Sequence, residues 1–139
     1  MKQEKLPALF FFLPAAAYYA LVFYFSSRPL YIPVSFSWVD KVGHVLEFSG
    51  LGWLLSFGFV RGLGISQKKK FALALVAGIL LGVSDELHQL FVPGRQSDPW
   101  DVLADSIGIL AAVWGYSILS RIPAFRFLKG QKGSPSSVD

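Results

Sequence analysis

No cysteine occurs in this chain of 139 residues. A disulfide framework, a thiolate zinc site, an iron–sulfur cluster and a cysteine nucleophile are therefore excluded. Redox compartment is left open. Charge is also scarce: 16% of residues are Asp, Glu, Lys or Arg, against about 25% in an ordinary soluble domain. What charge there is lies in short blocks between apolar runs. Hydrophobic residues make up 53%, and the mean hydropathy is +0.49. This composition excludes a disordered chain and a soluble enzyme of the usual make-up. It fits one membrane-embedded domain. The net charge of +4 does not indicate nucleic acid, because no basic face alternates with exposed aromatics. Basic clusters between apolar runs instead suit anionic lipid headgroups.

Crossing a bilayer takes about 20 largely apolar residues in a helix. Four segments come near that: Leu6 to Phe25, Val39 to Val60, Phe71 to Val92 and Pro99 to Leu119. The expected fold is all-α, an integral membrane bundle of four transmembrane helices. Lys2 and Lys5 ahead of an apolar run with Ala15-Ala16-Ala17 imitate a secretory signal. The run continues for eight residues past those alanines. That is long for a cleavable segment, so it reads as an uncleaved first span. Pro14 is a candidate kink within it. Pro29 and Pro33 mark the first loop, Gly62 and Gly64 the second, and Pro93-Gly94 the third. The four-helix domain thus covers 1–120. The remainder, 121–139, reads as a basic, disordered cytoplasmic tail.

Orientation follows from the basic residues. With four spans, Lys2, Lys5, Arg61, Lys68, Lys69, Lys70, Arg121, Arg126, Lys129 and Lys132 share one side. Arg28, Lys41 and Arg95 share the other. Ten against three puts both termini in the cytoplasm. Asp40, Glu47, Asp85, Glu86, Asp98, Asp101, Asp105, His44 and His88 then all fall in the outward loops or the outer halves of spans two to four. An ionisable side chain inside a span costs roughly 2.5–3.5 kcal/mol even on the lenient insertion scale. Several together call for partners, water or an ion, and so for one extracytoplasmic polar site.

Helical spacing agrees. Asp40, His44, Glu47 and Leu51 share a face of the second span, as do Gly78, Gly82, Asp85 and Gln89 in the third. Asp98, Asp101, Asp105, Gly108 and Ala112 share one in the fourth. The small residues suit close helix contact. Glu47, Asp85 and Asp105 each lie roughly 10 Å below the outer helix ends. The first span, whose polar atoms are tyrosine hydroxyls, should face lipid or pack behind the others. Asp98, followed by Pro99 and with Asp101 at N3, reads as a helix N-cap. Ser37 with Asp40 reads as another helix start.

The runs His44-Val45-Leu46-Glu47 and Asp85-Glu86-Leu87-His88 place a histidine and a carboxylate at i, i+3, as di-metal carboxylate bundles do. A divalent metal held among His44, Glu47, Asp85, His88 and Asp105 is one reading. A histidine–carboxylate hydrogen-bond network is the other. Any metal would have only oxygen and nitrogen donors. Spans two and four enter from outside, so their N-termini face the site beside Lys41 and Arg95, where a phosphate or carboxylate could sit. Arg95 suits bidentate recognition of such a group. An ion pair with Asp98 or Asp101 is its plainer role.

At these residues the chain resembles the VanZ-like family of small membrane proteins. The matching segments are Asp40-Lys41-Val42-Gly43-His44-Val45-Leu46-Glu47-Phe48, Ser84-Asp85-Glu86-Leu87-His88-Gln89-Leu90-Phe91-Val92-Pro93-Gly94-Arg95 and Asp101-Val102-Leu103-Ala104-Asp105-Ser106-Ile107-Gly108. The resemblance covers roughly residues 40 to 115. It implies a multipass membrane protein, and the family's named member is associated with resistance to the glycopeptide teicoplanin. It supplies no catalytic mechanism.

Three functions stay open: a site that binds or processes a cell-envelope molecule (a lipid-linked phosphate or a glycopeptide-related ligand), an accessory protein whose polar cluster assembles the bundle, and an ion-coupled transporter. The inner halves of the spans are nearly bare of polar groups, which disfavours transport. Candidate catalytic residues are His44, Glu47, Asp85 and Asp105. Candidate substrate-binding residues are Lys41, Glu86, His88, Gln89, Arg95 and Asp101. In a hydrolytic site Asp85 or Asp105 would be general base or metal ligand, Arg95 the anion anchor and His44 the proton carrier.

Overall fold

The computed structural model describes residues 6–28 and 37–129. Lys2, Lys5, Pro29, Pro33 and residues 130–139 lie outside the described residues. Within them every regular element is helical and none is a strand. A 3-10 turn, Ala8–Phe12, leads into α1, Leu13–Ser26. Then come α2, Ser37–Gly62; α3, Gln67–Gln89; α4, Pro99–Leu119; and a short 3-10 segment, Pro123–Leu128. Ala8–Ser26, α3 and α4 are each long and apolar enough to cross a membrane. At 26 residues, α2 is about 39 Å long, but its first three turns carry Asp40, Lys41, His44 and Glu47.

Local chemistry sets the helix ends. Pro14 does not kink a long helix; it stands in the first turn of α1, just after the 3-10 turn. Proline, with its fixed φ, is well suited to the first turn of a helix. Asp98 is the N-cap of α4, its carboxylate accepting the Trp100 N–H at 2.9 Å, with Pro99 in the first turn. Gly94 has φ 83°, a left-handed conformation that glycine adopts without penalty, and it turns the chain from α3 towards α4.

Successive helices run in opposite directions. The start of α2, the end of α3 and the start of α4 meet at what we call the acidic end, where Lys41 reaches Asp98 and an Asp98 N–H reaches Glu86. The end of α2, the start of α3 and the end of α4 meet at the basic end, which carries Arg61, Lys68, Lys69, Lys70 and Arg121. The interface of α2 with α4 is the most extensive, and α3 packs on both. The crossing depends on Gly108: a Cβ there would collide with the Val45 carbonyl oxygen. The Ser49 hydroxyl fills the same seam, 2.6 Å from the Val45 carbonyl and 3.2 Å from that of Gly108. Small residues let membrane helices come this close.

Burial is inverted relative to a soluble protein. Asp105 is 0% exposed while Leu110, on the same helix, is 55% exposed. Phe48, Leu51, Leu55, Ile109 and Val113 form the apolar core below the acidic end. Val60, Tyr116 and Leu128 form a second cluster at the basic end, with Trp53, Phe57 and Phe71 against it. Part of the segment expected to be a disordered tail is therefore folded back here. Tyr116 Oη donates to the Leu128 carbonyl at 3.0 Å, and an Arg61 nitrogen donates to that of Phe127 at 3.3 Å. Lys70 is buried and donates to the Val60 carbonyl at 3.0 Å, one of the last-turn carbonyls of α2 that no intrahelical N–H reaches.

Candidate functional site

Residues from three helices converge at the acidic end. From α2, Lys41 Nζ bonds Asp98 Oδ2 at 2.7 Å, bonds Asp101, and lies 3.7 Å from Asp40. One turn on, His44 Nδ1 is 2.9 Å from Asp105 Oδ1, and its Nε2 is 3.8 Å from Asp101 Oδ2. A carboxylate can only accept, so Nδ1–H donates to Asp105. From α3, the Gln89 amide nitrogen donates to Asp85 Oδ2 at 3.0 Å and Glu86 Oε1 at 3.2 Å. Glu86 Oε2 accepts the Asp98 N–H at 3.1 Å. A carboxylate from α3 thus meets the positive end of the α4 dipole. Asp98 itself lies outside the spans. The Lys41 ammonium, and then the Trp100 N–H, hold its carboxyl below the ordinary aspartate range.

Asp85, Glu86, Gln89, Asp101 and Asp105 are all buried. Two of their oxygens, Asp85 Oδ1 and Asp105 Oδ2, have no hydrogen-bond partner among the described residues. A buried polar atom without a partner costs about 1–3 kcal/mol, more for a charged group. Gly82 leaves room beside Asp105, since a Cβ there would come within 3.1 Å of Asp105 Oδ2. Two sets of side chains present donor atoms mutually within 4.8 Å: His44, Glu86 and Asp105, and Asp40, His44 and Asp101.

Other candidates point elsewhere. His88 Nε2 lies 2.9 Å from Ser27 Oγ, and its ring stacks on Phe23 with centroids 4.1 Å apart. Arg95 donates from Nε to the Arg28 carbonyl at 2.9 Å and from Nη2 to that of Phe25 at 3.1 Å. Both therefore hold the end of α1. Arg95 forms no ion pair with Asp98 or Asp101; it serves the carbonyls of a helix end, which suit a cation. Glu47 is half-buried, and its backbone carbonyl accepts from Tyr18 Oη at 3.0 Å. It lies within electrostatic range of His44, Asp85 and Asp105 but joins none of the side-chain hydrogen bonds among the described residues. From the sequence, Glu86 falls among the binding residues and not among the metal candidates, yet the structure sets it with His44 and Asp105. Its position next to Asp85, rotated about 100° around α3 away from His88, was the available signal.

These features define an all-helical membrane bundle with a buried histidine–carboxylate cluster at one end. The VanZ/LLP1 family model matches residues 6–120, and the chain belongs to that family. No curated protein and no solved structure gives a significant match.

Proposed function

We propose that the acidic end faces the extracytoplasmic side and binds or processes a lipid-linked phosphate or related cell-envelope molecule. The observation carrying this reading is the pair of buried carboxylate oxygens on Asp85 and Asp105 without a partner among the described residues, Asp105 being bonded to His44 through its other oxygen. A bundle serving only its own assembly gains nothing from leaving them bare. In this reading α2 is a fourth span, 1–120 form the membrane domain and both termini are cytoplasmic. The concentration of Arg61, Lys68, Lys69, Lys70, Arg121 and Lys129 towards the other end supports it through the bias of basic residues to the cytoplasmic face. Asp105 orients His44, which carries the proton, and Asp85 or Asp105 serves as base or ion ligand. Lys41 and the start of α4 meet the anion. Arg95 joins only by releasing the α1 carbonyls.

Single cysteines at Ser97 and Gly64 test the orientation. Ser97→Cys should react with an impermeant reagent on intact cells, and Gly64→Cys only after permeabilisation. The reverse pattern overturns the sidedness. Binding is tested in nanodiscs doped with a prenyl phosphate: the wild-type chain should retain it over phosphatidylcholine, and His44→Ala should not. A second reading, bundle assembly alone, is favoured by the Lys41–Asp98, Lys41–Asp101 and His44–Asp105 pairs, which tie α2 to α4. It gains if wild type and His44→Ala behave alike.

A further inference from the structure

We infer that His44, Glu86 and Asp105 bind a divalent cation, with Asp85 beside them; this deepens the reading of the acidic end as a ligand site. The three residues come from α2, α3 and α4, and one donor atom from each lies within 4.8 Å of the others. Glu86 and Asp105 are buried. The independent observation is the bare oxygens: Oδ2 of Asp105, a member of the trio, and Oδ1 of Asp85, the residue preceding Glu86, are buried without a partner among the described residues.

Counter-charge points the same way. The ion pairs at this end all involve Lys41 or His44, and their partners are Asp40, Asp98, Asp101 and Asp105. Among the described residues neither Asp85 nor Glu86 contacts a cation. Their hydrogen bonds come only from neutral groups: the Gln89 amide, the Ser97 side chain and the Asp98 backbone N–H. An ionised carboxylate buried without a counter-charge is strongly disfavoured, and a divalent ion would supply the missing charge to several oxygens at once. One imidazole with carboxylates and no thiolate suits manganese, magnesium or zinc rather than a soft metal. The ion would also relieve the conflict in the proposed function, because an anionic phosphate is otherwise repelled by four buried acids: Asp85, Glu86, Asp101 and Asp105.

The test uses the full chain in detergent, stripped with EDTA and titrated with Mn²⁺ while free Mn²⁺ is followed by its electron paramagnetic resonance signal. Wild type should bind about one ion per chain. Asp105→Asn and Glu86→Gln should each weaken binding at least ~10-fold, the scale on which a metal site responds to loss of a supporting group. Ser120→Ala, at the basic end, should not change it. Helical circular dichroism and the elution volume establish that each variant is folded. No saturable Mn²⁺ binding by folded wild type overturns the inference, and so does binding that both variants leave intact. A parallel titration with prenyl phosphate keeps the two readings apart. Mn²⁺ binding without phosphate binding sinks the proposed ligand and retains the cation site. Phosphate binding without any Mn²⁺ binding does the opposite.

Discussion

The two ends of the bundle bury polar groups in opposite ways. At the basic end each is closed onto a backbone carbonyl: Lys70 onto Val60, Tyr116 onto Leu128, and Ser56 onto Gly52 in the turn above. At the acidic end buried carboxylates crowd around Lys41, His44 and Gln89, and two of their oxygens find no partner among the described residues. Closed polar groups stabilise a packed structure and do little else. Open ones are costly to keep, and these lie at the end of a well-packed seam, where the proposed ligand site is.

The comparison breaks most sharply through Asp85 and Asp105. Changing either to asparagine removes the charge but keeps the shape, and an amide is cheaper to bury. Both variants should express and melt at or above the wild-type temperature, yet lose ligand binding or turnover by ~100-fold, as when an acid–base group is removed. Retained activity in both would make the two ends alike. Next comes Lys70→Met, which leaves the Val60 carbonyl unpaired and should cost about 1–3 kcal/mol in stability with normal activity per folded molecule, measured by thermal melting in detergent. Tyr116→Phe should cost about 1 kcal/mol and make residues 123–128 easier to cleave in limited proteolysis. The smallest effect belongs to Asp98→Asn. Asparagine caps a helix as well as aspartate does, and Lys41 keeps Asp101. Its melting curve should nearly superimpose on the wild type.

Much of this contrast was legible in the sequence. Length and hydropathy marked the three apolar helices, and Asp98-Pro99 marked the start of α4. The spacing of His44 and Asp105 on their own helices brought them together. His88 and Arg95 were not legible. Asp85 and His88 stand at i, i+3 and look like one face, but on a real helix they differ by about 60°. That offset turns His88 to α1 while Asp85 and Glu86 remain inside. A single helix's periodicity says which residues share a side, not which neighbour occupies it. Lys70 was hidden for a related reason. Three consecutive lysines read as a solvated block, yet one of them had to follow the buried stripe of Ala74, Gly78 and Gly82.

The way α1 is attached bears on how the protein tolerates change. Tyr18 donates to the Glu47 carbonyl, Tyr19 to that of Leu81, and Arg95 to those of Phe25 and Arg28. Apart from the side-chain pair Ser27–His88, the acceptor in each of these links is main chain, which no substitution by a non-proline residue deletes. The sites that receive these links are therefore free to drift in side-chain identity, while the few donors are not. A saturation scan should find the dependence one-sided: Tyr18, Tyr19 and Arg95 constrained, their acceptor positions permissive wherever the helix itself is kept.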